Sequence, residues 1–127
     1  MLFRSSKFHP CHVLQQYYVD GKYLDLQMYQ RSCDVGIGLP YNTASYSLLL
    51  NMIAQECNLT PRYFIHSIGD LHVYQNHKDQ LIKLLDRDPK DSPKLLDTNK
   101  SFWEIRSDDC ILENYQYHPF IKLKVAI

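Results

Sequence analysis

Between Tyr29 and Asn42 the chain reads Tyr-Gln-Arg-Ser-Cys-Asp-Val-Gly-Ile-Gly-Leu-Pro-Tyr-Asn, gathering an arginine, a serine, a carboxylate and a carboxamide around a Gly-x-Gly-x-Pro bend. A core strand has no use for that set, whereas a binding site does. Arg31 offers a planar, permanently charged fork, and Asn42 offers a donor and an acceptor on one group. The same residues also fit a strand end that runs into a polar loop. A further candidate, Cys11, stands upstream, and its reach depends on the elements between.

Those elements read as a hairpin. Val13 to Val19 and Lys22 to Ser32 are rich in Val, Leu and Tyr, and Asp20-Gly21 between them is a strong two-residue turn signal. With Asp20 and Gly21 as the turn, Val19 faces Lys22, Tyr17 faces Leu24 and Cys11 faces Gln30. The thiol then lies beside Arg31, and a guanidinium there favours the thiolate, which is the nucleophile. A bulge of one residue would still leave Cys11 near the Gln30-Arg31 pair.

After the bend, Pro40 and Asn42-Thr43 read as a helix start, and Ala44, Leu48, Leu49, Met52, Ile53 and Cys57 recur at helical spacing. This predicts a buried helix ended by Asn58 and Pro61, with Cys57 on its packed face. Tyr63 to Tyr74 reads as a strand interrupted at Gly69-Asp70, with His72 and Tyr74 on one face. On position alone these two are either half-exposed aromatics or paired hydrogen-bonding rings. Asn76 to Arg87 fits a short amphipathic helix through Leu81, Leu84 and Leu85. Asp86 to Lys100 is a charged excursion, and Phe102 to Ile105, Ile111 to Tyr117 and Ile121 to Ile127 read as short strands.

Composition narrows the classes. The chain has 127 residues, 45 % hydrophobic and 22 % charged, which suits one globular domain covering 1–127. Lysine plus arginine equal aspartate plus glutamate at 14 each, so no basic field is available for nucleic acid. The longest apolar run, Leu48 to Leu50, is far short of a membrane span, and Met1 to Pro10 lacks a signal-peptide segment, pointing to the cytoplasm. The four cysteines contain no Cys-x-x-Cys pair, which argues against a metal site or a disulfide framework.

Taken as a set, Pro10-Cys11-His12, Gln30-Arg31-Ser32-x-Asp34, Gly38-x-Pro40-Tyr41-Asn42, Gly69-Asp70-x-His72-x-Tyr74-x-Asn76-His77 and His118-Pro119-x-Ile121-Lys122 resemble, in order and nearly in spacing, the motifs of thymidylate synthases. That family includes the pyrimidine deoxynucleotide hydroxymethylases. The resemblance implies an α+β fold, a mixed β-sheet with one long buried helix, as in the C-terminal half of the family. It also implies a cytosolic homodimer that moves a one-carbon unit from 5,10-methylenetetrahydrofolate to C5 of a pyrimidine deoxynucleotide, with deoxyuridine monophosphate (dUMP) expected as substrate.

Carried over residue by residue, the resemblance makes Cys11 the nucleophile that adds to C6 of the pyrimidine. Arg31 and Ser32 would hold the 5′-phosphate, and His72 and Tyr74 the ribose hydroxyl. Asn42 would read the base edge, where cytosine-using relatives place aspartate. Asp34 would hold the pterin near Gly38, with Tyr41 and Ala126 on the folate side, and His12 and Gln30 would support the site. Val125 to Ile127 would be a lid. His9, Tyr41, Thr43 and Ile127 depart from the usual proline, phenylalanine, isoleucine and valine, and none of these changes removes a reacting group. The family's long N-terminal half, with further phosphate-binding arginines and the folate-site glutamate, tryptophan and asparagine, has no counterpart here. The expectation is a split enzyme whose second chain supplies that half; a truncated paralogue and a non-enzymatic nucleotide-binding subunit are the alternatives.

Overall fold

A computed structural model of the chain describes residues 9–125; Met1 to Phe8, Ala126 and Ile127 lie outside the described residues, and with them the expected folate contact of Ala126 and most of the expected lid. Strand β1 (His12–Asp20) turns into β2 (Tyr23–Asp34), helix α1 (Gly38–Glu56) follows, and β3 (Thr60–His72) returns beside β2. A 3-10 turn over Gln75–His77 leads into α2 (Lys78–Leu85), and two-residue strands β4 (Lys94–Leu95) and β5 (Leu112–Glu113) form a separate ribbon. The main sheet has the order β1-β2-β3, antiparallel on one side of β2 and parallel on the other. The expected α+β class, with a mixed sheet and a long helix, is present.

The hairpin register differs from the simple reading. Asp20 pairs with Tyr23, Val19 with Leu24 and Tyr17 with Leu26, so Gly21 and Lys22 are the turn. Gly21 takes φ +58 at the first central position, as a type II′ turn asks, and glycine bears that without a Cβ clash. Asp20 is kept in the strand by its carboxylate, 3.0 Å from Arg62 Nη1. A shift in register between His12 and Leu14 then sets His12 opposite Gln30, and the Arg31 amide donates to the Cys11 carbonyl at 2.9 Å.

The core lies where α1 crosses the sheet. Leu24, Leu26, Met28, Tyr46, Leu50 and Ala54 are buried together, with Leu49, Ile53, Leu59 and Phe64 packed around them. Tyr46, Leu50 and Ala54 follow one another at four-residue spacing on one helix face. The packed face shares Leu49 and Ile53 with the one expected but is turned from it elsewhere: Ala44 and Cys57 are exposed. Asn58 closes the helix at φ +54, a conformation asparagine tolerates better than most residues. Strand β3 runs unbroken through Gly69-Asp70 to His72 because its parallel ladder to β2 continues through Asp70, Leu71 and His72. Pro61 is accommodated near the start of this outer strand of the sheet.

Strand readings beyond residue 100 are corrected. Among the described residues only Leu112–Glu113 pairs there; Phe102 to Glu104 form a turn and residues 121–125 are irregular. Side-chain bonds hold this region instead: Gln55 Nε2 donates to Thr98 Oγ1 and to the Lys100 carbonyl, and Glu56 accepts from the Phe102 amide at 2.7 Å. Helix α2 is shorter than expected, and Leu84 and Leu85 on it are exposed. On the sheet face away from α1, Arg62 grips Asp25 with two bonds of 3.0 and 2.7 Å and lies over the rings of Tyr23 and Tyr63. That bidentate pair explains an aspartate inside a strand with little exposed surface.

Leu26 is 0 % exposed, whereas Cys57 is an exposed thiol. Leu26→Ala is therefore expected to cost about 2 to 5 kcal/mol of unfolding free energy, and Cys57→Ser less than about 0.5 kcal/mol. Urea denaturation of both variants checks this, and a large loss for Cys57→Ser would contradict the observed helix face.

Candidate active site

The candidate residues gather where β2 and β3 end and α1 begins. Because β2 and β3 run parallel, their C-terminal ends lie side by side: Asp34 pairs with His72, and the Val35 amide donates to the His72 carbonyl at 3.0 Å. The chain then turns through Gly36 and enters α1, which brings Gly38 and Asn42 over Cys33 and Asp34. A Cβ on Gly38 would meet Asn42 Nδ2 at 3.6 Å, Asp34 Cβ at 3.7 Å and Cys33 Sγ at 4.0 Å, ordinary packing distances that place Gly38 against these three side chains.

Gln30 joins the group from the strand side. It is 2 % exposed, and three contacts hold its amide: Nε2 donates to the Ser32 carbonyl at 2.8 Å, while Oε1 accepts from Asn42 Nδ2 at 3.1 Å and lies 2.9 Å from His66 Nε2. Asn42 is thus held by its NH2 group, which also lies 3.9 Å from Cys33 Sγ.

Two thiols stand near this corner with different capacities. Burial, together with the neighbouring Asp34 and Cys11 charges, pushes the Cys33 thiol up despite donors from Asn42 and Gln30. Cys33 therefore stays a protonated packing group, and the partly exposed Cys11 is the thiol that a ligand can reach. Arg31 Nε and Nη2 donate to the carbonyls of Pro10 and His9 at 3.2 and 2.6 Å, which ties down the segment leading to Cys11. His12 packs edge-on against Tyr46, with ring centroids 5.1 Å apart.

His72 and Tyr74 meet edge-to-face at 5.1 Å, and His72 Nδ1 lies 3.5 Å from Asp70 Oδ2. Asp34 accepts from the amides of Gly36 and Ile37 at 2.9 and 3.0 Å. Burial alone would raise its pKa, but those two amides, the facing His77 and the Gly38 amide outweigh it and hold the carboxyl below its ordinary value. Behind it the fully buried His77 bonds the Lys124 carbonyl at 2.6 Å, which Asn76 also reaches, so the chain's last described residues run alongside Gly36. Tyr41 is exposed and lines a cleft of about 550 Å³ with Gly36, Ile37, Pro40, Tyr115 and Phe120.

Thus Gln30, Asn42, Gly38 and Asp34 form one connected corner, His72 and Tyr74 stand at the adjoining strand end, and Cys11 with Arg31 lies on the β1 side. Ser32 contributes its carbonyl, and none of the hydrogen bonds described joins Arg31 to Asn42. His66 was not singled out by the sequence reading, and His77 and Cys33 stood inside its motif stretches without a role. For His66 a signal existed, since strand alternation already puts residues 66 and 72 on one face.

A family model described as thymidylate synthase matches residues 2–127. The chain belongs to the thymidylate synthase family. Thymidylate synthases of Mycoplasma pneumoniae, Herpesvirus ateles and Saimiriine herpesvirus 2 are 48 %, 51 % and 53 % identical over 93 % of this chain. The chain spans 42 %, 41 % and 41 % of the length of those three synthases and aligns to their C-terminal part. The resemblance read from five motifs is therefore a family membership carried by almost the whole chain.

The Asp34 carboxylate gives a sign to the acid stability of this thymidylate synthase segment. Its folded pKa is depressed, so the unfolded chain binds the proton first, and the stabilisation is complete above about pH 4 and lost as pH falls through the folded value. Asp34→Asn is expected to lower stability at neutral pH, because an amide NH2 would face the Ile37 N–H, and to show a shallower decline below about pH 4. Urea midpoints measured from about pH 7 to pH 3 test this; parallel declines in both proteins would mean that Asp34 is not selectively held as the anion.

Proposed function

We propose that this chain supplies the nucleophile-bearing part of a site that transfers a one-carbon unit from 5,10-methylenetetrahydrofolate to C5 of dUMP. The remaining part of the site would come from sequence corresponding to the N-terminal portion of the family, carried by a partner polypeptide. The observation that supports this most directly is the Asn42 carboxamide, held at the strand ends by the buried Gln30, with the reachable Cys11 immediately before the neighbouring strand. The names of the relatives favour methylation over hydroxymethylation. The shares of length covered support incompleteness.

In this reading the Cys11 thiolate forms a bond to C6 of the pyrimidine and the electron pair moves to C5 and O4. Asn42 donates an N–H to O4 and accepts the N3 hydrogen, so it stabilises charge that grows as the sulfur adds. C5 then takes the one-carbon unit and gives up its proton, and the S–C6 bond breaks at the end. Arg31 and Ser32 hold the phosphate, and His72 and Tyr74 the ribose. The cleft beside Tyr41, walled by aromatic rings and lined by Gly36 and Ile37, whose amides hold Asp34, suits a flat pterin. Methylenetetrahydrofolate supplies the carbon and, for a methyl product, the reducing hydride.

The exposed Leu14, Tyr18, Tyr63 and Ile65 lie on the sheet face away from α1 and suit pairing with a second copy or with the completing chain. Among the described residues no helix is long and apolar enough to cross a membrane, and the proposed place of action is the cytoplasm.

The isolated chain is expected to give no measurable turnover with dUMP and methylenetetrahydrofolate, and to give product with its completing polypeptide, abolished by Cys11→Ser. Robust product from the chain alone would refute the division of the site. For binding, the reconstituted two-chain complex is expected to favour dUMP over dCMP at least about tenfold, an unmatched buried polar pair costing about 1 to 3 kcal/mol, and Asn42→Asp to narrow or reverse that preference. Calorimetric titration of both nucleotides decides it, equal wild-type affinities counting against a base-reading Asn42.

A further inference from the structure

A carboxamide can present either edge to a ligand, and the orientation of Asn42 is set by a relay that starts at a group unable to reverse. The Ser32 carbonyl only accepts, so Gln30 turns its NH2 towards it at 2.8 Å. Gln30 Oε1 is left pointing at Asn42 Nδ2, 3.1 Å away, and at His66 Nε2, 2.9 Å away. An oxygen facing Nε2 calls for a hydrogen on that nitrogen. The other ring nitrogen, Nδ1, is buried without a partner, so a hydrogen there would be stranded. At 2 % exposure Gln30 is shielded from competing water.

We propose that His66 is a specificity-determining positioning residue: by donating from Nε2 to Gln30 Oε1 it locks the Gln30 amide, and through it the Asn42 carboxamide, with Oδ1 turned to the ligand. The proposal rests on the reading of Asn42 as the group that contacts the base. With Oδ1 forward, N3–H of uracil finds an acceptor, whereas the N3 lone pair of cytosine meets another lone pair. Reversing Asn42 would require reversing Gln30. That would set Gln30 Oε1 against the Ser32 carbonyl and its NH2 against the His66 N–H, or force the His66 proton onto Nδ1, which has no acceptor among the described residues. His66 thus adds a second obstacle to the one that Ser32 provides. Burial, with His12 adding to it, keeps the ring below its ordinary pKa, which preserves the neutral donor near neutral pH. The parallel register places His66 opposite Met28, one inward step from Gln30, and Phe64 packs against the ring at 5.5 Å.

The test combines spectroscopy with nucleotide selectivity. In the ligand-free full chain, the ring-nitrogen NMR shifts of His66 should show a hydrogen on Nε2 and none on Nδ1; the opposite tautomer overturns the proposal without any variant having to fold. Titration of dUMP and dCMP into wild type, His66→Leu and His66→Gln follows, each combined with the completing polypeptide, folding being checked by thermal melting. His66→Leu, which removes the donor, should shrink the dUMP-to-dCMP affinity ratio by about fivefold or more, and His66→Gln, whose amide can donate, should recover most of it. A folded His66→Leu with an unchanged ratio overturns the lock alone. Absence of dUMP binding by the wild-type chain combined with its completing polypeptide overturns the function proposed above, and the lock falls with it.

Discussion

The arrangement depends on β2 being paired along both edges. Its antiparallel partner follows directly through the Gly21-Lys22 turn, but a parallel partner cannot be reached by a tight turn and needs a crossover, which α1 provides. This one constraint places α1 across the inner face of β2, buries Leu24, Leu26 and Met28, and delivers the start of α1 to the strand's end. The site is the place where strand, crossover and returning strand meet.

Burial near that junction is not purely apolar. Gln30 and His77 are as inaccessible as the leucines, and each is tied to groups that must otherwise face a low-dielectric surrounding. A buried amide with every partner placed is stiff, because any rearrangement strands a donor or an acceptor. That stiffness fixes the Asn42 carboxamide beside it. The same economy appears at Asp34, whose charge is supported by backbone amides at the turn into α1.

Much of the opposite surface remains uncovered. Every residue of β1 is exposed, and tyrosines and aliphatic side chains stand on the outer face of the sheet around the Arg62–Asp25 pair. Since the chain spans 41 to 42 % of the length of the synthases it matches, a surface of this kind suits packing partners supplied by the rest of the fold.

The motif residues were legible in the sequence because their chemical types are unusual for a strand end, and their order carried the family. Helix α1, the hairpin and β3 were legible from periodicity and from Asp20-Gly21, since these are local signals. The register was not: Asp20 could be a turn or a strand residue, and Arg62, distant in sequence, decided it. Nor was the buried face of α1, because Leu48, Leu49 and Leu50 offer apolar side chains all round and only packing against the sheet selects Tyr46, Leu50 and Ala54. His66 gained its part from the crossover, which sets it beside Gln30 from 36 residues away, whereas Cys33 meets Asn42 through the turn into α1, only nine residues along the chain. The sequence by itself determined which side chains could act; the tertiary structure decided which way their hydrogen bonds point, because that depends on groups brought together only when the parallel strands are paired.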